Sequence, residues 1–365
     1  MKITFELPKR SKIVVFGNDS YELLDLFNKH GVAYTIYNES SGNINVNPIF
    51  ILKYIINIML KSRSTKFKQL LYNAYHLTNL EYINPKYIFT QTDNSTLIHW
   101  LVKKKLQSKV VAIQNGLRTR YEFGFLKETH INNYEHDIFF SFGQYEKDLY
   151  ESMNIKVNRY IKLGSFRLGL YMESKKSHSK KYDICLISEL SCIPKKNTTT
   201  YKLQKKLYDD IDKMNHIIAK YAKEFNKKII VALREDNEQS QINYYLNIFK
   251  DNIEFSNPGK YSSYDSVCKS HITLSFFSTL LLESLALGNK VLSIDVSKSE
   301  LYFNYPSLIK HNYTDYDSFK IYIEEILSMD IQKYLDKSDT ILKYSMNMKN
   351  DAYPHHEIMK LVKEV

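Results

Sequence analysis

The sequence predicts an α/β protein made of two doubly wound units followed by helices. Three features point there. Short apolar runs alternate with amphipathic segments, which is the pattern of parallel sheets. The alternation breaks once, at the polar and basic stretch ESKKSHSKK (173–181), and then resumes. A length of 365 residues suits two domains of about 150 residues each.

The first strand is 12–16 (KIVVF), closed by Gly17-Asn18-Asp19. Asp19 or Ser20 caps a helix through YELLDLFNKHG, and Gly31 stops it. Residues 33–37 form a second strand. A lone Gly17 is no dinucleotide fingerprint, because the G-x-G-x-x-G spacing is absent. Residues 48–61 (PIFILKYIINIMLK) read as an amphipathic helix with Ile49, Leu52, Ile55, Ile56 and Met59 on one apolar face. That face either packs into the core or lies against a membrane or lipid-linked acceptor, with Lys53, Lys61 and Arg63 meeting anionic headgroups. Strands follow at 87–91, 109–113 and 138–141. A helix over 95–106, capped by Asn94 or Ser95, separates the first two.

The second series begins at 182–187 (YDICLI). A long helix covers 201–225, and strand 228–233 (KIIVAL) leads to helix 241–249 and strand 252–255. Strand 272–275, helix 279–287 and strand 290–294 (KVLSI) complete it, and 317–365 reads as helices. The expected domains are 1–172 and 182–345, joined by a linker at 173–181, with 346–365 packing back on the N-terminal domain.

Composition excludes several classes. Hydrophobic residues at 44% and charged residues at 25% are ordinary for a globular chain. Three cysteines, Cys185, Cys192 and Cys268, staple nothing of this size and suit a reducing compartment. No run reaches the ~20 apolar residues of a membrane span. The N-terminus MKITFELPKR lacks a signal-peptide core, so the expected location is cytoplasmic, at most against the inner face of the membrane. The net charge of +11 attracts anions of some kind. The lysines at 103–105 and 180–181 make no module with interleaved aromatics, so nucleic acid is not an expected partner.

Ligands of such sheets bind beyond the carboxyl ends of the strands. There the sequence places Ser278 and Thr279 at a helix start, where N–H groups and two hydroxyls suit a phosphate, with Glu283 one turn on. Arg234-Glu235 follows KIIVAL, and Ser188-Glu189 follows YDICLI. In the first half, Asp93-Asn94 ends one strand. Gln114-Asn115-Gly116 ends another, with Gly116 permitting a sharp turn and Arg118 and Arg120 following. Asp93-Asn94 can also be a helix cap, and Gln-Asn-Gly a plain turn. Two Asp-x-Asp spacings, Asp210-Ile211-Asp212 and Asp315-Tyr316-Asp317, follow no strand and read as structural. His355-His356 stands in no metal-binding pattern, so no metal and no cofactor is expected.

The series TDN, IQNGLR, FSFGQYEKDLY, LGSFRLGLY, YDICLIS, IIVALRE and SFFSTLLLESLALG resembles a family of bacterial surface-carbohydrate biosynthesis proteins over most of residues 85–295. That family is similar to GT-B glycosyltransferases, which have two Rossmann-like domains facing a cleft. The resemblance implies an acceptor-side N-terminal domain and a nucleotide-sugar-binding C-terminal domain. It implies transfer of an acidic ulosonic sugar from a CMP-activated donor onto a surface glycan, with Ser188, Glu189, Arg234, Glu235, Ser278, Thr279 and Glu283 at the nucleotide. Asn94, Gln114, Asn115, Gly116, Arg118 and Arg120 would meet the substrate. Several such transferases carry an acidic pair where this chain has Gln114-Asn115. Amides accept no proton, so the expected catalytic carboxylate is Asp93 first and Glu122 second. The family's frequent His-Pro pair is replaced by Arg234-Glu235. A UDP-sugar or CDP-polyol donor, or a scaffold that has lost its chemistry, are the other readings.

Overall fold

The computed structural model describes residues 2–17, 20–38, 43–61, 67–104, 107–118, 135–174, 177–189, 201–233, 238–250, 252–296, 309–312, 315–348 and 352–365. The chain divides into two compact units. The first holds β1 (Lys2–Thr4), β2 (Ile13–Phe16), α1 (Tyr21–Lys29), β3 (Thr35–Tyr37), β4 (Asn43–Asn45), α2 (Pro48–Lys61) and α3 (Phe67–Ile83). It continues with β5 (Tyr87–Thr90), α4 (Thr96–Lys103), β6 (Lys109–Ile113), β7 (Glu135–Ser141), α5 (Gln144–Ser152), β8 (Lys156–Lys162) and most of α6 (Phe166–Glu173).

Six strands form one parallel sheet in the order β3-β2-β5-β6-β7-β8. The strands IVVF and YIFT are buried at every position, as a sheet covered on both faces requires. One face packs on Leu23, Leu26 and Phe27 of α1, the other on Leu77 and Leu80 of α3 and Ile98 and Leu101 of α4.

The second unit holds β9 (Tyr182–Ile187), α7 (Tyr201–Glu224), β10 (Ile229–Ala232), α8 (Glu238–Phe249), β11 (Ile253–Phe255) and α9 (Ser262–Cys268). β12 (Ser270–Ser275), α10 (Thr279–Ala286), β13 (Lys290–Asp295), β14 (Lys310–Asn312), α11 (Tyr316–Ser328) and α12 (Ile331–Ser345) complete it. Its sheet runs β11-β10-β9-β12-β13-β14, again parallel. Tyr334 docks α12 on β13: its buried hydroxyl donates to the carbonyl of Val291 at 2.7 Å and accepts from the same residue's N–H at 3.2 Å.

The final helix, α13 (Pro354–Lys363), belongs to the first unit, where Ile358 and Leu361 enter the core beside α1. The returning segment is fastened at Asn347, whose N–H donates to Phe142 O (2.8 Å) and whose amide donates to Lys162 O (2.9 Å). Gly164 lies against this passage. Its φ is +81°, and a Cβ there would stand 2.1 Å from Met348 Sδ.

Several features differ from the sequence reading. Within the expected linker at 173–181, Lys180 is anchored on the second unit, its Nζ donating to Ser270 O and Asn289 Oδ1, both at 2.7 Å. Helix α3 and strand β8 have no clean period: α3 buries polar Asn73, His76 and Thr78 among its apolar residues, and β8 mixes exposed and half-buried positions with none fully buried. The apolar face of α2 is not core. That helix buries Phe50 and Asn57, and Asn57 Nδ2 donates to Thr78 Oγ1 and Glu81 Oε2 of α3 (both 3.0 Å). The aliphatic side faces outward.

His76 lies among Tyr37, Tyr72 and Tyr75, with the Tyr37 hydroxyl 2.7 Å from Nδ1. Burial holds its pKa down at about 4, against an ordinary 6.5. Between those values the unfolded chain binds a proton that the folded chain refuses. The stability from this site is therefore complete above pH 6.5 and is lost as pH falls toward 4. Urea titrations at about pH 7.5 and pH 5 should show a drop of roughly 2 kcal/mol from this residue. His76→Gln, which does not titrate, should lose that part of the drop. An unchanged pH dependence would show that His76 is protonated in the folded state.

Candidate functional site

The strand order of the second sheet has a switch point. The chain winds from β9 through β10 to β11, then returns to the other side of β9 with β12, β13 and β14. Loops leaving β9 and β12 diverge there, and ligands of such sheets bind at that carboxyl edge. Ser188 and Glu189 follow β9, and the turn leading to Ser278 and Thr279 follows β12.

This turn is held from inside. The carboxylate of Glu189 accepts from the N–H groups of Phe276 (2.5 Å) and Phe277 (2.8 Å). Ser278 N–H donates to Ser275 Oγ (3.1 Å), and Ser278 Oγ caps α10 by accepting from Leu280 N–H (3.3 Å). Ser293 Oγ donates to Phe276 O (2.7 Å). Glu189 is thus an internal anion in a nest of backbone amides. Ser188 has a similar structural role, its buried hydroxyl donating to buried Gln241 Oε1 at 2.6 Å. Glu283 accepts from the Tyr264 hydroxyl at 3.0 Å inside the unit. All three were expected at the nucleotide. In the structure each carries an internal hydrogen bond, as buried polar groups do.

Gly116 and Arg118, expected on the acceptor side, group with the second unit, as does Leu117 between them. Leu117 N–H donates to Thr279 Oγ1 (2.9 Å), at the start of α10. Arg118 is buried, and its Nη1 donates to Leu117 O at 3.5 Å. Gly116 has no left-handed φ, and a Cβ there would sit 3.6 Å from Arg118 Nη1 and 3.7 Å from Thr279 Oγ1. Those are ordinary contacts, so the turn does not require glycine. An accepting hydroxyl keeps its own O–H to give. Thr279 is half-buried at a positive helix end beside a buried guanidinium. Such a set suits a phosphate or a carboxylate. Arg120, Glu122, Arg234 and Glu235 lie outside the described residues.

The first sheet has its own switch point, between β2 and β5. The two turns there touch: a Cβ on Gly17, whose φ is +97°, would stand 3.2 Å from Thr92 Oγ1. Asp93 follows β5 at this point and is 1% exposed, while Asn94 is exposed. Neither caps α4, because Ser95 accepts from Ile98 N–H. Gln114 is a strut. Its Oε1 accepts from Phe142 N–H and its Nε2 donates to Glu146 Oε1, both at 2.8 Å, while Glu146 Oε2 accepts from Gly143 N–H (3.1 Å). Asn115 is exposed. The sequence reading missed Glu146, although a carboxylate three residues after a helix entry is a recognisable signal.

The Asp-x-Asp spacings are structural. Asp210 is buried within α7, where burial pushes its carboxyl up, and Asp212 accepts from the Tyr244 hydroxyl (2.7 Å). Asp315 caps α11 through Ser318 N–H (2.9 Å).

Glu189→Gln puts an amide NH₂ against one of the two backbone N–H groups. Urea denaturation should show a loss of about 1.5–3 kcal/mol, the range for hydrogen bonds to a charged group. Wild-type stability in this variant would mean that the charge does not hold the turn.

No curated protein matches the chain by sequence. Solved structures match it along nearly its whole length at low identity. UDP-GlcNAc 2-epimerase from Neisseria meningitidis, bound to UDP-GlcNAc, is 14% identical with a TM-score of 0.54, covering 100% of both chains. The wall teichoic acid polymerase TagF is 12% identical with a TM-score of 0.54, over 98% of this chain and 89% of that one. Sucrose-phosphate synthase from Thermosynechococcus elongatus is 10% identical with a TM-score of 0.52, over 98% of this chain and 99% of that one. The shared feature is the fold, the GT-B arrangement of two doubly wound units, and the expected fold class is borne out. A family model described as "putative O-antigen biosynthesis protein" matches residues 111–348, from β6 through all of α12. The chain belongs to this O-antigen biosynthesis protein family.

Proposed function

We propose that the protein is a glycosyltransferase that moves an acidic ulosonic sugar from a CMP-activated donor onto a bacterial surface glycan, free or lipid-linked. The observation that carries this is the grouping of Leu117, Arg118 and Thr279 at the start of α10, beside an amide nest already filled by Glu189. A pyrophosphate placed at this turn would compete with the Glu189 carboxylate. A CMP-linked ulosonic acid brings one phosphate and one carboxylate, which the Thr279 hydroxyl, the helix end and Arg118 suit. These same groups offset the charge of a departing CMP, so the reaction is proposed to need no metal. The family supplies the context, the making of a surface glycan.

A second reading is a diphosphate donor. TagF was soaked with CDPG, and the epimerase was bound to UDP-GlcNAc. A thermal-shift screen with CMP, CDP, UDP and GDP separates the two, because a ligand raises the melting point by mass action. CMP should stabilise most. Ser278→Ala with Thr279→Ala should weaken the best nucleotide by about 1–3 kcal/mol, or roughly 5- to 150-fold. A response to UDP or CDP alone favours the second reading. Unchanged affinity in the double variant removes this edge from the account.

The proposed general base is Asp93, at the switch point of the first sheet. Asp93→Asn keeps size and most hydrogen bonding. It should cut turnover by about 10²–10⁴-fold while sparing nucleotide binding. Near-normal turnover would pass the role to Glu122.

A further inference from the structure

The surface of α2 is built for something other than water. Ile49, Ile51, Leu52, Ile55, Ile56, Met59 and Leu60 are all exposed, from 39% at Ile51 to 74% at Leu60, and cover about half the helix circumference. Only the opposite seam, with Phe50 and Asn57, is buried against α3. The apolar area extends along the chain in both directions. Phe67, at the start of α3, is 70% exposed. On the other side, β1 and β4 pair in parallel with Ile3 opposite Ile44, both exposed, and Phe5 beyond them is 71% exposed. Asn47 ties that ribbon to α2: its Nδ2 donates to Phe5 O (2.8 Å), and its Oδ1 accepts from Ile49 N–H (2.9 Å).

Charge identifies the occupant. Residues 41–80 contain no Asp or Glu, but they hold Lys53, Lys61, Arg63, Lys66 and Lys68. Lys53 pairs with Glu81 at 3.3 Å, which leaves the segment strongly cationic. A second copy of this chain would bring the same patch against itself in a two-fold dimer, cation facing cation. An anionic bilayer offers the complement to both halves: hydrocarbon for the aliphatic side chains and acidic headgroups for the lysines. At 14 residues α2 is about 21 Å long, too short to cross the hydrocarbon layer of about 30 Å, so it can only lie in the plane of the surface.

We propose that the outward face of α2, extended by the β1–β4 ribbon, is a docking surface for an anionic membrane, with the helix lying among the headgroups. This rests on the surface alone and does not depend on the donor chemistry.

Flotation of the full chain with two vesicle types tests it: pure phosphatidylcholine, and phosphatidylethanolamine with about a quarter phosphatidylglycerol. The protein should float with the anionic vesicles. Partitioning should fall by more than about tenfold in the triple variant Leu52→Ser, Ile56→Ser, Met59→Ser. It should also fall in about 1 M salt, where the Debye length is about 3 Å. The three side chains are exposed, so the fold survives, and the melting curve checks this. Met59→Trp should show a blue-shifted emission on anionic vesicles that is absent in buffer. Three results overturn the proposal: no flotation, equal flotation with neutral vesicles, or unchanged flotation of the triple variant. A concentration-dependent dimer in sedimentation that the triple variant abolishes also overturns it and assigns the face to a second copy. The triple variant should keep the nucleotide response of the wild type, so failure of the donor reading and failure of this one remain distinct.

Discussion

Parallel strands buried on both faces leave a chain few places for polar groups. Apolar runs such as IVVF, YIFT and KVVAI fill the sheet, and hydrogen-bonding side chains collect where the strands end. Any polar group there that is also buried must find a partner. This constraint accounts for most of the described chemistry at the two carboxyl edges. Glu189 holds the entry to α10, Gln114 and Glu146 lock the end of β6 to the turn before α5, and Ser188 meets Gln241. The groups offered to a ligand are those left over once this internal accounting is complete.

That ordering explains why the fold was more legible than the site. A strand such as YDICLI announces itself by composition, and its placement needs only local pattern. Glu189 and Thr279 also stood out, as polar residues after a strand. Their partners did not, because Phe276 is 87 positions from Glu189 and Leu117 is 162 positions from Thr279. Whether a carboxylate faces a ligand or an amide nest is decided by such long-range pairings, which no local period encodes. Arg118 shows the same limit. By position it belongs to the first half of the chain, and by packing it belongs with the second unit.

The α2 region shows a different kind of ambiguity. Ile49, Leu52, Ile55, Ile56 and Met59 fall on one face by spacing alone, and a core helix would look the same in sequence. What separated the readings was α3, whose aromatic and polar residues take the opposite seam of α2 through Tyr75, Thr78 and Glu81. The apolar face is therefore surplus to the fold.

The return of the chain through Asn347 and past Gly164 has a consequence for synthesis. The core beside α1 receives Ile358 and Leu361, which leave the ribosome after the whole second unit. Until then that core holds α1 but lacks the two side chains that α13 supplies. Domains generally fold in order of emergence, and uncovered apolar surface is what chaperones bind. Here the last helix of the first unit, α13, is made only after the second unit, so the first unit's core is completed by the end of the chain.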